Sequence, residues 1–417
     1  MNSETPKPGR TVLRSWWLLP TLAYLGSRIL YLIYLSSTVH LQTVNSAHEA
    51  GVGGAKVNLW TALSNWDSTS YYYIASHGYP EGLPRGTDGA VTLNNWAFYP
   101  LWPYLLRGVH HLLPLSYPLL GTLLSTAFGL AGLLLIYRWV LRRSNGWLAA
   151  CLVVWLCFFP PSAVMLTGYA EALTILLLGL LIWALERRWW IPAAVLIFAV
   201  CLTRPIGLAF VLPLAVAAVW SWHRGDRRAF WSYGSLSLFA AVAFMFWPAA
   251  VGRYSGEANG YWLTQQAWRG PGTRPILPYL FSGNWDNPWL YLLYGGLLAL
   301  MAATLLLGRA DQKWPAALRL WAASYWLYIY CTIQAGFYFN GRVMDPQGPL
   351  VPHPSVWRYL MLGLVPLLPY HLAAKPTSSR LHRALVLGAV VVAGALAGFF
   401  YCSHFLLDRS DIGLYWP

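Results

Sequence analysis

The chain has 417 residues, 57% hydrophobic and only 10% charged, with a formal net charge of +14. A mean hydropathy of +0.46 with apolar runs of about 20 residues excludes an ordinary soluble enzyme and fits a polytopic helical membrane protein. The basic excess does not call for a nucleic-acid partner, because Arg and Lys fall mostly in short gaps between apolar runs, where topology and anionic lipid account for them.

In chain order, apolar runs predict spans near 15–36, 118–137, 147–165, 169–185, 189–203, 207–222, 232–251, 287–307, 314–337, 357–374 and 384–405. The expected fold class is therefore all-α, a single integral membrane domain over 1–417 with about eleven transmembrane helices. The N-terminal MNSETPKPGRTVLR is basic but lacks a small-residue cleavage site, so the first run reads as a retained span. Positive charge recurs in alternate gaps, at Lys7, Arg10 and Arg14, Arg138, Arg142 and Arg143, Arg187 and Arg188, Arg224, Arg227 and Arg228, Arg309 and Lys313, and Lys375, Arg380 and Arg383. The positive-inside rule assigns these gaps to the cytoplasm. The long gaps 37–117, 252–286 and 338–356 then lie outside, with most of the acidic residues. Five cysteines within or at the ends of apolar runs lack metal-ligand spacing and read as small core residues.

The first long gap carries NWDSTSYYYIASHGYP at 65–80, which reads as a short helix started by Asn65 or Asp67 and stopped at Gly78 and Pro80. Two readings of Asp67 fit: an N-cap, or a general base at the membrane surface flanked by aromatic rings. A second segment, NNWAFYPLWPYLLRGVHHLL, mixes aromatics, Pro and Arg as an interfacial helix does. Glu171 follows the helix-breaking pair Pro160-Pro161 and opens a span, where the helix dipole favours a carboxylate and where ionisable groups often serve function. Arg28 and Arg204 lie within apolar sequence; they snorkel, pair with Asp67 and Glu171, or hold a phosphate. The last outer loop, FNGRVMDPQGPLVPHPSVWRYL, brings Arg342, Asp345, His353 and Arg358 together; its cations suit a lipid phosphate, and a merely solvated loop is the other reading. His77, His110 and His111 lack the remaining ligands of a metal set. No phosphate-binding glycine loop and no cytosolic segment large enough for a sugar-nucleotide domain is present, so an activated donor would be a lipid.

These motifs together carry a resemblance. WDSTSYYYIASHGYP followed by NNWAFYPLWP resembles the first luminal loop of the PIG-V mannosyltransferases, with its Trp-Asp, Ile-Ala-x-x-Gly-Tyr and Ala-Phe-Phe-Pro in that order. FFPPSAVMLTGYAEALTILLL looks like the family's Ser/Pro-rich segment before Tyr-Ser-Glu-Ala, LTRPIGL its Arg-x-x-Gly-Leu, and SVWRYLMLGLVPLLPY its late Arg-containing span. Departures are Ser70 in place of the family's His, Tyr99 within Phe-Phe-Pro, and Ala170 within Tyr-Ser-Glu.

The resemblance implies a GT-C fold with extracytoplasmic interfacial helices, in which mannose passes from a polyprenyl-phosphate-mannose donor to a glycolipid or glycan acceptor. It makes Asp67 the expected catalytic residue, and Glu171 is added as a second candidate. Arg342, His353 and Arg358, with Arg204 and Arg28 in reserve, are the expected phosphate ligands. Trp66, Tyr71, His77, Trp96 and Tyr99 are the expected sugar or polyprenyl contacts. No cofactor and no metal set is expected, although Asp67 and Glu171 would share a divalent ion if the fold joined them. The expected location is a bacterial plasma membrane with an extracytoplasmic site. The competing class is a polytopic lipid or sugar transporter or flippase; such proteins usually show repeated halves, and no repeat is visible here.

Overall fold

The computed structural model describes residues 16–45, 54–269, 288–307, 314–332, 355–366 and 379–407, together with 48, 51 and five short strands. It is nearly all helical. Helix α1 spans Leu18–Thr38, and the first long gap supplies a short α2 (Leu59–Ala62), α3 (Asp67–His77) and α4 (Leu101–Leu112). There follow α5 (Tyr117–Arg143), α6 (Gly146–Phe158), α7 (Glu171–Glu186), α8 (Trp190–Cys201), α9 (Val211–His223) and α10 (Arg227–Tyr254). The remainder comprises α11 (Gly260–Arg269), α12 (Pro288–Leu307), α13 (Ala316–Thr332), α14 (Ser355–Leu360) and α15 (Arg380–Tyr401). The strands are β1 (Arg274–Pro275), β2 (Gln334–Phe337), β3 (Phe339–Asn340), β4 (Val343–Met344) and β5 (Leu350–Pro352). β2 pairs antiparallel with β1 and β5, and β3 with β4.

Each expected span meets a helix at its position except the one near 357–374, whose described part is the short α14 and a 3₁₀ turn. Among the described residues, four helical stretches, 18–41, 117–143, 227–254 and 381–406, are long and apolar enough to cross a membrane, or five if the bent pair at 146–166 is one span. Eleven spans are expected from the sequence; of the helices at the other expected positions, α7, α8, α9 and α13 are shorter than the roughly 20 residues a straight crossing needs.

The distribution of side chains also fits lipid as the surrounding solvent. Along α1, Tyr24, Ser27, Arg28, Tyr31 and Leu35 are buried, while Leu22 and Ile33 are more than 60% exposed. Polar and aromatic groups thus turn inward while most of the exposed face is aliphatic, because hydrocarbon outside removes the reason to hide Leu and Ile. Small residues let helices approach: a Cβ on Gly132 of α5 would meet the backbone of α7 at 2.7–2.8 Å, at Leu176 N and Ile175 C.

The chain bends by 70° between α6 and the 3₁₀ turn Pro160–Leu166. Pro161 has no N–H to offer the Cys157 carbonyl one turn back. Arg28 repairs the break: it donates to the Cys157 carbonyl at 2.9 Å and to the Ser162 carbonyl, and the Ser162 hydroxyl adds a bond to Cys157 O at 2.8 Å. Freed backbone groups inside a membrane protein must be satisfied by neighbours in this way. The bend places Glu171 at the start of α7 in the interior.

The expected helix in the first loop is present as α3, closed by Gly78 at φ +95°. Its far end is clamped by α4, whose Arg107 donates to the Ala75 and Ile74 carbonyls at 2.6 and 2.9 Å. The loop between them is anchored by aromatic rings. Tyr79 stacks on Trp96 at 4.6 Å, Trp96 Nε1 donates to Gly82 O at 3.0 Å, and the Tyr99 and Tyr261 hydroxyls bond at 3.0 Å. Trp247 of α10 packs on the same cluster, and Arg85 adds a 2.6 Å ion pair with Glu257.

Candidate active site

Three separate parts of the chain converge at Arg358 of α14. Its Nη1 lies 2.9 Å from Asp67 Oδ2, at the start of α3, and its Nε lies 2.9 Å from Glu171 Oε1, at the start of α7. The same Glu171 oxygen accepts a hydrogen bond from Arg204 Nη1 at 2.8 Å. The result is a chain of alternating charge, Asp67, Arg358, Glu171 and Arg204. Glu171 is 0% exposed, Arg358 2% and Arg204 7%, whereas the Asp67 side chain keeps 24% of its surface open. The array is therefore closed at the Glu171 end and accessible at the Asp67 end.

The Arg358 contacts are short but lie off the N–H axes: among the described residues neither Nε nor Nη1 makes a directional hydrogen bond. Attraction there is chiefly Coulombic. Aromatic faces complete the setting, with Tyr169 and Tyr359 rings 4.9 and 5.2 Å from the Arg358 guanidinium and Tyr359 5.0 Å from that of Arg204. Glu171 Oε2 and the buried hydroxyls of Tyr169, Tyr325 and Tyr401 have no hydrogen-bond partner among the described residues. Buried orphans of this kind are rare, and these four all lie within the electrostatic reach of the cluster.

Asp67 is not an N-cap. The cap position of α3 is Trp66, at φ 58° and ψ −125°, and no side chain caps the helix there. Asn65, the other expected cap, donates to Gln42 Oε1 at 3.0 Å and Leu406 O at 2.9 Å. The left-handed backbone at Trp66, a costly conformation for a bulky residue, turns the chain sharply just before Asp67, whose carboxylate faces Arg358 instead of the helix N–H groups.

Tyr71, one turn beyond Asp67, is buried with its ring edge-on to Phe98 at 5.2 Å. Burial pushes its phenol well above the ordinary value, Arg204 pulls it back in part, and Asp67 and Glu171 push it further up. It remains a neutral O–H donor beside the carboxylates. The other expected ligands are placed elsewhere. Arg28 serves the bend after α6 and does not join the array. His77 lies at the far end of α3, about 15 Å along the helix from Asp67, stacked on Tyr73 and bonded to Ser76. Trp96 and Tyr99 are buried in the aromatic anchor, and Trp66 packs against the main core. Arg342 and His353 lie outside the described residues.

Tyr169, Tyr325, Tyr359 and Tyr401 were not singled out from the sequence. Tyr169 and Tyr359 had a signal in standing beside Glu171 and Arg358, whereas Tyr325 and Tyr401 are two of 26 tyrosines with nothing local to mark them. The fold does join Asp67 and Glu171, as a shared divalent ion would require, but the cation it sets between them is the Arg358 guanidinium. Among the described residues no group of three or more His, Cys, Asp or Glu side chains is arranged to hold a metal. A cavity of about 300 Å³ lies toward the opposite end of α7, lined mostly by apolar residues such as Leu178, Leu181, Leu214 and Trp321 with Arg143 and Glu186 among them, and is separate from the charge array.

No family model matches the chain. No curated protein matches it either. Among solved structures it is similar to ArnT from Cupriavidus metallidurans in the apo state, at 14% identity and a TM-score of 0.47 over 96% of this chain and 78% of that one. It is similar also to the same protein bound to undecaprenyl phosphate, at 14% identity and a TM-score of 0.48 over 95% and 78%. A likeness of that size leaves function to be read from the chain's own residues.

Proposed function

We propose that the protein is a GT-C membrane glycosyltransferase that moves mannose, or a closely related sugar, from a polyprenyl-phosphate donor to a glycolipid or glycan acceptor. The site faces the extracytoplasmic side of a bacterial plasma membrane. The single observation that carries the reading is the Asp67–Arg358–Glu171–Arg204 array, buried at one end and open at the carboxylate of Asp67. The resemblance of its segments to the PIG-V mannosyltransferases supplies the sugar and the donor class.

The chemistry follows from that arrangement. A phosphate is already a good leaving group, so the demanding tasks are to remove the acceptor's proton and to receive charge on the departing phosphate. Asp67, the accessible carboxylate, acts as base on the acceptor side. Arg358, next to the open Asp67 carboxylate, is the cation that meets the phosphate, and Glu171 is a positioning residue that holds it and the deeper Arg204 on one oxygen. The Tyr71 hydroxyl donates to substrate oxygens nearby.

The test uses purified full-length protein in detergent with a polyprenyl-phosphate-linked sugar and, separately, with GDP-mannose free of carrier lipid. Turnover with the lipid donor alone is expected. Use of the nucleotide sugar would sink the lipid-donor reading. No sugar transfer from the lipid donor, alongside transport in sealed vesicles, would favour the transporter class.

A further inference from the structure

The array has a property beyond a static phosphate site, and it rests on the function just proposed. Its four charges cancel: two carboxylates and two guanidiniums. Arg358 sits between the two carboxylates with different atoms on each. Nε faces the fully buried Glu171, and Nη1 faces the open Asp67. The Asp67 contact is off the N–H axis and is not a paired fork, so no directional bond has to break for Nη1 to change partner.

We propose that Arg358 is shared in time between the base and the leaving group: it holds Asp67 before transfer and turns Nη1 to the departing phosphate as Asp67 takes up the acceptor's proton, with Nε and Glu171 as the pivot.

The balance of the step makes the exchange reciprocal. The acceptor hydroxyl gives its proton to Asp67, and its oxygen forms the new bond to the sugar's anomeric carbon. The bond from that carbon to the phosphate oxygen breaks, and its electron pair stays with the phosphate. The donor is a diester with one negative charge; the product is a monoester that gains a second. Protonated Asp67 is neutral, so Arg358, Glu171 and Arg204 are left with one net positive charge as the phosphate acquires one negative charge. The guanidinium keeps its proton throughout, which lets it serve as a fixed charge that changes partners. A base bound to an independent counter-ion would leave that compensation to solvent, and here Arg358 and Glu171 are almost wholly out of solvent.

The experiment measures binding of a short-chain polyprenyl phosphate to the full-length protein by tryptophan fluorescence, for wild type, Asp67→Asn, Arg358→Gln and the double variant. Asn is neutral, as Asp67 is after transfer. Asp67→Asn should therefore bind the monoester about tenfold more tightly than wild type, and that gain should vanish in the Arg358→Gln background. Arg358→Lys keeps the charge and guards against misfolding; its single ammonium stays with the buried Glu171, so the gain should vanish there too. An unchanged affinity in Asp67→Asn overturns the sharing, as does a gain that persists whichever residue stands at 358, which is through-space repulsion. Near-normal turnover by Asp67→Asn would instead remove Asp67 as the base, so the two readings fail separately.

Discussion

Replacing Glu171 by Gln removes the one carboxylate that two buried guanidiniums share. At an effective dielectric of about 20, a charge pair about 4 Å apart is worth roughly 4 kcal/mol. Glu171 makes two such contacts, at 2.8 Å to Arg204 and 2.9 Å to Arg358, from a position that is 0% exposed. Gln still accepts a hydrogen bond, so the net loss should be about 3–5 kcal/mol, the range for removing one partner of a buried pair. Unfolding in detergent, followed through the chain's 25 tryptophans, measures it. The decisive companion is Glu171→Gln with Arg204→Gln. The double variant leaves Arg358 with Asp67 and restores neutrality, so it should recover about half of the loss or more. A single variant that costs under about 1 kcal/mol, or a double variant as unstable as the sum of the singles, would refute the shared-counter-ion account.

Asp67→Asn and Asp67→Ala should each lower turnover by roughly two to four orders of magnitude with closely similar unfolding midpoints, because Asp67 caps no helix; midpoints about 1 kcal/mol apart would reinstate the cap. Arg28→Met should destabilise by roughly 2–4 kcal/mol, by stranding the carbonyls of Cys157 and Ser162, and should leave the apparent KM for donor unchanged; a rise in KM would return Arg28 to the site. Gly121→Ala should cost about 1–3 kcal/mol because its Cβ runs into the Tyr72 hydroxyl, and Tyr72→Phe should relieve part of that cost in unfolding measurements. Cysteines introduced at the exposed positions Thr87 and Arg224, with the exposed Cys331 replaced by Ser, should label with an impermeant maleimide from opposite sides of sealed vesicles; labelling from one side ends the topology.

Helices could be read from the sequence because a membrane helix satisfies its backbone within itself, and so leaves a local record in runs of apolar residues. The short helix at 67–77 was equally legible, since Gly78 adopts a backbone that other residues resist. The candidate site was legible only as a set of names. Asp67, Glu171, Arg204 and Arg358 stood out because ionisable groups are scarce here and costly to bury. Arg28 stood out for the same reason, yet it serves the Cys157 carbonyl freed by Pro161 and the Ser162 carbonyl beyond it, a demand that becomes visible only once α1 lies against the bend.

The sequence by itself determined the helical class, the positions of the apolar helices and the identity of the rare charges, because each follows from local composition and spacing. Which charge meets which was decided by the tertiary structure alone. Asp67 and Arg358 stand 291 residues apart, with Glu171 and Arg204 between them, and the bend after α6, the left-handed turn at Trp66 and the entry of α14 together bring the four within 3 Å of their partners. Coulomb attraction depends on distance and burial, and neither quantity is written in the order of residues along the chain.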